Sequence, residues 1–187
     1  MFKEELRLNY KNLRNTISFQ ELSIRSVDIA NKLLELPIWS HEYYHLFLTI
    51  SEKKEIDTSF ILSILQGKDK NVVLPKMDKA ASLTNYLLTD NTVIKKNKWN
   101  IPEPVDGLEV PTDKIDVVFM PLLAFDRFGN RVGYGKGFYD GFIKKCRPEV
   151  LKIGLSFFKA EAERITDIHE SDIPMDYCVT PDKIYKF

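Results

Sequence analysis

Strands alternating with helices along the chain predict an α/β fold: a single three-layer, Rossmann-like domain over residues 1–187, with a mostly parallel central sheet and an N-terminal helical hairpin. Three observations carry this. Residues 43–50 and 116–120 are apolar, β-favouring runs that read as buried strands. Segments with apolar residues at three- and four-residue steps stand before and between them. A length of 187 residues, with 44% hydrophobic and 29% charged side chains, suits one ordinary globular core.

The first helix is marked by Phe2, Leu6, Tyr10, Leu13 and Ile17. Lys3, Arg7, Lys11 and Arg14 repeat at the same spacing beside that stripe, so these cations border whatever the helix covers. Ser18 and Glu21 form a capping box for a second helix, which turns Leu22, Ile29, Leu33 and Leu36 inward and ends at Pro37. After the strand at 43–50, a helix over 59–66 is capped by Asp57 or Thr58 and stops at Gly67. A short strand at 71–74 closes at Pro75. Residues 82–98 read as a polar-edged hairpin, with arms at 83–88 and 93–96, leading to Trp99 and a loop at 101–104. The strand at 116–120 runs into a glycine-rich loop followed by a helix over 138–146. Strands at 152–157 and 177–180 and an edge strand at 183–187 complete the sheet. The sequence shows no internal repeat or linker.

The 27 basic and 27 acidic side chains cancel, which argues against nucleic acid or a membrane surface as partner. Cys146 and Cys178 form no paired motif, and the histidines at 41, 45 and 169 make no zinc pattern with them. A charged N-terminus and the lack of a long apolar run lead us to expect a cytoplasmic protein.

The most informative stretch is Phe125-Asp126-Arg127-Phe128-Gly129-Asn130-Arg131-Val132-Gly133-Tyr134-Gly135-Lys136-Gly137-Phe138-Tyr139-Asp140, between a strand and a helix. Glycines at alternate positions let backbone N–H groups converge on an anion. The helix start favours phosphate, and Arg131 and Lys136 can add full charges. Asp140, in the first turn, could hold Mg²⁺ between itself and those phosphates. Lys136 is followed by Gly137 rather than Ser or Thr, so this is no Walker A loop, and Phe138 stands where a dinucleotide fingerprint needs glycine. A bare glycine run is as readily a surface turn.

Taken whole, the segment resembles the signature of the 5-formyltetrahydrofolate cyclo-ligase (5,10-methenyltetrahydrofolate synthetase) family. Pro121, Ala124, Phe125, Asp126, Gly129, Arg131, Gly133, Gly135, Gly137, Tyr139 and Asp140 all fit it. Lys3 and Arg7, Glu55-Ile56-Asp57-Thr58, Leu74-Pro75, Trp99-Asn100-Ile101 and the aspartates 172 and 176 extend the likeness. Tyr134 departs from it, standing where relatives often carry arginine or a small residue.

The resemblance implies a monomeric ATP- and Mg²⁺-dependent ligase that closes 5-formyltetrahydrofolate to 5,10-methenyltetrahydrofolate, with a reduced folate and ATP as its only partners. It implies ATP binding by Lys3, Arg7, Arg131, Gly133, Tyr134, Gly135, Lys136, Gly137, Phe138 and Tyr139, with Arg131 and Lys136 also catalytic. Glu55, Asp57, Trp99 and Tyr139 are its candidates for the folate, and Asp140 and Asp172 for the metal, Asp172 being favoured over Asp176. Read on position alone, Lys3, Arg7, Lys11 and Arg14 form a solvated helix face, and the resemblance changes that for Lys3 and Arg7 only. Likewise Asp57 or Thr58 reads as a helix cap, and Trp99 and Tyr139 as core aromatics. Alternatives are a non-catalytic nucleotide- or RNA-binding module on the same fold, or an ATP-dependent ligase for another formyl compound or small acid. No residue is singled out as the base for N10 of the folate.

Overall fold

The computed structural model describes residues 1–78 and 82–187. Seven strands share one sheet: β1 (Tyr43–His45), β2 (Asn71–Met77), β3 (Leu83–Leu87), β6 (Val117–Pro121), β9 (Leu151–Leu155), β10 (Tyr177–Val179) and β11 (Ile184–Lys186). Their order is β11-β10-β9-β6-β1-β2-β3. The inner strands β2, β1, β6, β9 and β10 run parallel, and β3 and β11 close the two edges antiparallel. Two short ribbons stand outside the sheet, β4 (Ile94–Lys96) with β5 (Pro102–Pro104) and β7 (Ala124–Phe125) with β8 (Arg131–Val132).

Alternate side chains of each strand enter different layers, as the pleat requires. Tyr44, Val72, Leu74, Phe119, Ile153, Leu155 and Val179 join the core under α2 (Phe19–Leu33) and α3 (Ser59–Gly67). Val73, Val118, Met120 and Cys178 join the opposite core with Phe142 and Ile143 of α4 (Phe138–Ile143). The three layers follow from this division.

The N-terminal helices part company in what they cover. α2 lies on the sheet beside α3, whereas α1 (Lys3–Thr16) seats Leu6 and Tyr10 against Leu123, Ala124 and Val132 at the β7–β8 ribbon. So narrow a support buries only Leu6, Tyr10 and Arg14 of α1 and leaves Phe2 and Leu13 exposed, so the apolar stripe is shorter than its spacing suggested. At the start of α2 the Ser18 hydroxyl accepts from the Glu21 amide at 3.1 Å, while the Glu21 carboxylate turns to Arg25 instead of back to the cap.

Four expectations are corrected. The strand expected over 43–50 ends at His45: the Leu46 amide still reaches the Val73 carbonyl at 2.9 Å, but beyond it the Phe47 carbonyl accepts from Thr58 Oγ1 at 2.8 Å and the Ile50 amide donates to the Glu55 carboxylate at 2.9 Å, in place of a neighbouring strand. β2 continues through Pro75 to Met77: beyond Val73 only β3 pairs with it, so a missing N–H on the other side costs little. The arms of the expected hairpin do not pair with each other. β3 pairs with β2, and β4 pairs with β5, which is the segment expected to be a loop. The helix after the glycine loop stops at Ile143, short of residue 146.

Gly154 lies in register with Met120 on one side and Cys178 on the other. A Cβ there would stand 2.3 Å from Met175 Sδ and 2.6 Å from Leu122 Cδ2, and both side chains are buried. Gly154→Ala is expected to cost roughly 1–3 kcal/mol by overpacking, read as a lowered urea midpoint; an unchanged midpoint would show that this core yields.

Candidate functional site

β2 lies on one side of β1 and β6 on the other, so the chain order reverses between β1 and β6. In an open α/β sheet, the crevice beyond the C-terminal strand ends at such a point is where ligands bind. A cleft of about 1620 Å³ opens there, walled by Phe47, Leu48 and Ile50 after β1 and by Pro121 and Leu123 at the end of β6. A site for one small molecule spans roughly 300–1,000 Å³. This cleft has room for two.

The glycine loop forms one wall. It hangs from the β7–β8 ribbon, whose turn is held by the fully buried Asp126. That carboxylate accepts from the amides of Phe128 (2.9 Å), Asn130 (3.0 Å) and Ile165 (3.0 Å) and from Asn130 Nδ2 (2.8 Å), so this signature residue is framework. Two glycines take the left-handed backbone that side chains disfavour: Gly135, at φ 90°, and Gly137, at φ 67° just before α4. A Cβ on Gly135 would stand 3.4 Å from the Arg7 guanidinium, so the loop rests directly on that cation.

Around the loop, cations and carboxylates are tied to one another. Arg7 Nε donates to the Gly133 carbonyl at 3.0 Å. Lys3 is paired with Asp172, whose carboxylate also accepts from the His169 amide at 2.7 Å. Arg131 donates to Asp140 at 2.7 Å and to the Ile173 carbonyl, and the Ile173 amide donates to the same Asp140 oxygen at 3.0 Å. One knot therefore holds Lys3, Arg131, Asp140 and Asp172. The Arg131 side chain is only 8% exposed, unlike the free loop cation its position suggested, whereas Lys136 is exposed. Gly133, Tyr134, Gly135, Gly137, Phe138 and Tyr139 also line the cleft. Because α4 spans only 6 residues, its dipole adds less to the polarity of this wall than the loop amides and side-chain charges do.

Glu55 and Trp99 line the cleft as well. Trp99 is half exposed, with Lys98 Nζ 4.3 Å from its ring centroid. Tyr139 is anchored edge-on against His45, with ring centroids 5.8 Å apart, and burial holds its hydroxyl well above the usual tyrosine range. Asp57 does not line the cleft: its carboxylate accepts from the Ser59 amide at 3.0 Å, at the start of α3. Asp176 is bound to Lys152 at 2.8 Å, so of the two late aspartates only Asp172 lines the cleft.

Arg14 was not singled out from sequence, yet it is 4% exposed and lines the cleft. It donates to the Tyr134 hydroxyl at 2.8 Å and to the Leu122 carbonyl at 2.7 Å. Tyr134 in turn donates to Glu55 at 2.6 Å. The signal available was its spacing of four residues from Tyr10 on the buried face of α1.

A family model described as the 5-formyltetrahydrofolate cyclo-ligase family matches residues 1–181. The chain belongs to the 5-formyltetrahydrofolate cyclo-ligase family. It is 26% identical over 198 residues to a probable 5-formyltetrahydrofolate cyclo-ligase of Schizosaccharomyces pombe, covering 98% of this chain and 97% of that one. With the mitochondrial 5-formyltetrahydrofolate cyclo-ligase of Arabidopsis thaliana it shares 30% identity over 210 residues, covering 97% and 75% of the two chains. The NMR structure of Aquifex aeolicus 5,10-methenyltetrahydrofolate synthetase superposes with a TM-score of 0.85 at 29% identity, covering 100% of this chain and 93% of that chain. The enzyme is thus an ATP-dependent ligase of folate one-carbon metabolism, with 5-formyltetrahydrofolate cyclo-ligase activity. Among the described residues no helix is long and apolar enough to cross a membrane.

Burial pushes the Asp172 carboxyl up, but the Lys3 hydrogen bond, the His169 amide and the charges of Lys3 and Arg131 together hold it below the usual range. A depressed folded pKa contributes stability above the unfolded aspartate value of about 3.9, and that stability is lost as pH falls through the folded value. Asp172→Asn is expected to lower stability at pH 7 by less than about 1 kcal/mol, because the pair is partly solvated. The difference from the parent should vanish in strong acid, as read by denaturant midpoints at several pH values; a gap that persists there would assign the loss to packing.

Proposed function

We propose that the two walls divide the substrates, ATP against the glycine loop and the reduced folate against Glu55 and Trp99. What supports this most is the room for two ligands in one cleft whose lining combines the glycine loop and its cations with Glu55 and Trp99. Lys3, Arg7, Arg131, Lys136 and the backbone N–H groups of residues 133–137 bind the triphosphate. Trp99 and Tyr139 pack on the pterin, and Glu55 accepts from its N–H groups.

The formamide oxygen is a poor leaving group. In this reading the γ-phosphoryl group passes to it, N10 attacks the activated carbon, and phosphate departs as the five-membered ring closes. Such a transfer asks the protein for alignment and charge neutralisation, not for a covalent intermediate, and the cations of the knot are suited to that. Among the described residues no cluster of three or more His, Cys, Asp or Glu could hold a metal alone. Two cleft carboxylates do suit Mg²⁺, which takes its other oxygens from phosphates and water. Asp140 and Asp172 would hold it, and it would neutralise charge on the phosphates. Zero net charge weighs against a nucleic-acid or membrane-surface partner.

Lys136 is the clean probe of the phosphate wall, since Arg131 is also tied into the fold. Lys136→Ala is expected to lower ATP-dependent turnover roughly 10²-fold with stability unchanged within about 0.5 kcal/mol, followed by the near-UV absorbance of the methenyl product. Normal turnover by the folded variant would remove Lys136 from the phosphates. Asp140→Asn should raise the Mg²⁺ concentration needed for half-maximal turnover while Arg131 keeps one neutral acceptor. Superimposable Mg²⁺ titrations of parent and variant would take Asp140 out of the metal site.

A further inference from the structure

Arg14 is a buried cation for which the proposed chemistry has no direct use. A guanidinium can only donate, so the oxygen of Tyr134 must accept from it at 2.8 Å. The Tyr134 proton is thereby committed to Glu55 Oε1 at 2.6 Å. The other carboxylate oxygen, Oε2, accepts from the Ile50 amide at 2.9 Å. Glu55 is only 3% exposed, yet it lines the cleft. Arg14 therefore sets the direction of every bond in the chain, and both Glu55 oxygens are held as acceptors. Tyr134, although part of the glycine loop, has its hydroxyl engaged by Arg14 and Glu55.

We propose that Arg14 and Tyr134 are positioning residues for Glu55, aiming its carboxylate as an acceptor at adjacent N–H donors of the reduced pterin ring. The proposal rests on the reading of Glu55 as a folate contact. It separates Tyr134 into a backbone that serves the nucleotide loop and a hydroxyl that serves the other substrate. The surroundings of Glu55 agree with it. Burial pushes this carboxyl up, while the Tyr134 hydroxyl, the Ile50 amide and the charges of Arg14 and Lys53 pull it back. The charged and titratable groups around it are Arg14 on α1, Lys53 in the turn after Ile50, Tyr134 on the glycine loop and Tyr139 on α4. Losing the Tyr134 hydroxyl removes one of the influences that keep Glu55 ionised, so an activity that needs the carboxylate should switch on at higher pH.

The test is steady-state kinetics of Tyr134→Phe across pH, with folding checked by circular dichroism and thermal melting. The KM for 5-formyltetrahydrofolate is expected to rise roughly ten-fold, the loss of one hydrogen bond to a charged group. The KM for ATP should stay within about two-fold, because the loop backbone is unchanged, and the acid limb of kcat/KM for the folate should move to higher pH. In a Glu55→Gln background the same substitution should add almost nothing, as coupled residues do. Should Tyr134→Phe fail to fold, Arg14→Lys serves instead: it keeps the buried charge, loses the fork and should give the same pattern in smaller measure. A raised KM for ATP with an unchanged folate KM would overturn the proposal, and so would full additivity with Glu55→Gln or an acid limb that does not move. An unchanged folate KM in Glu55→Gln itself would instead remove Glu55 from the substrate, and the proposal would fall with that reading.

Discussion

Where β1 and β6 part, the backbone can no longer satisfy itself strand to strand, and the rest of the site depends on how that shortfall is met. Buried N–H and C=O groups must find partners. Here side chains supply them: Glu55 takes the Ile50 amide, Thr58 Oγ1 donates to the Phe47 carbonyl, Thr49 Oγ1 to the Ile56 carbonyl, and Arg14 to the Leu122 carbonyl. Two of these donors and acceptors, Glu55 and Arg14, also line the cleft, so the fold and the cleft cannot be altered independently there.

The glycine-loop wall is built on a second economy, that of charge. Lys3 and Asp172, and Arg131 and Asp140, neutralise each other, and Arg7 is spent on the Gly133 carbonyl. Paired in this way, four ionic groups share a small partly buried volume without the desolvation penalty of lone charges. An incoming polyphosphate would offer the cations a richer set of oxygens, and Mg²⁺ would do the same for the carboxylates. The exposed Lys136 stands outside this balance, which is why it separates binding from stability better than Arg131 does.

The Arg14–Tyr134–Glu55 chain ties α1 and the glycine loop to the turn after β1. Its direction is dictated by the one partner that cannot accept.

The sequence by itself determined the α/β class, most of the strands and helices and the family. Buried strands and capped helices carry local signatures, and the glycine-rich signature from Pro121 to Asp140 is contiguous. It also marked Lys3, Arg7, Glu55, Trp99, Lys136, Asp140 and Asp172, all of which line one cleft. Only the tertiary structure decided which strands pair, because β3 chooses between neighbours that are equally plausible in sequence and finds its partner in β2. It also decided that Asp57 sits at the start of α3 beside Ser59, outside the cleft, that Arg131 is tied into the fold, and that Arg14 lies inside rather than on a solvated face. For the two cations the outcome turns on distant partners, the Ile173 carbonyl 42 residues from Arg131 and Tyr134 and Leu122 more than 100 residues from Arg14. Local pattern reports a residue's spacing and chemistry, but whether a charge is solvated or spent is settled by which distant donor or acceptor the fold sets beside it.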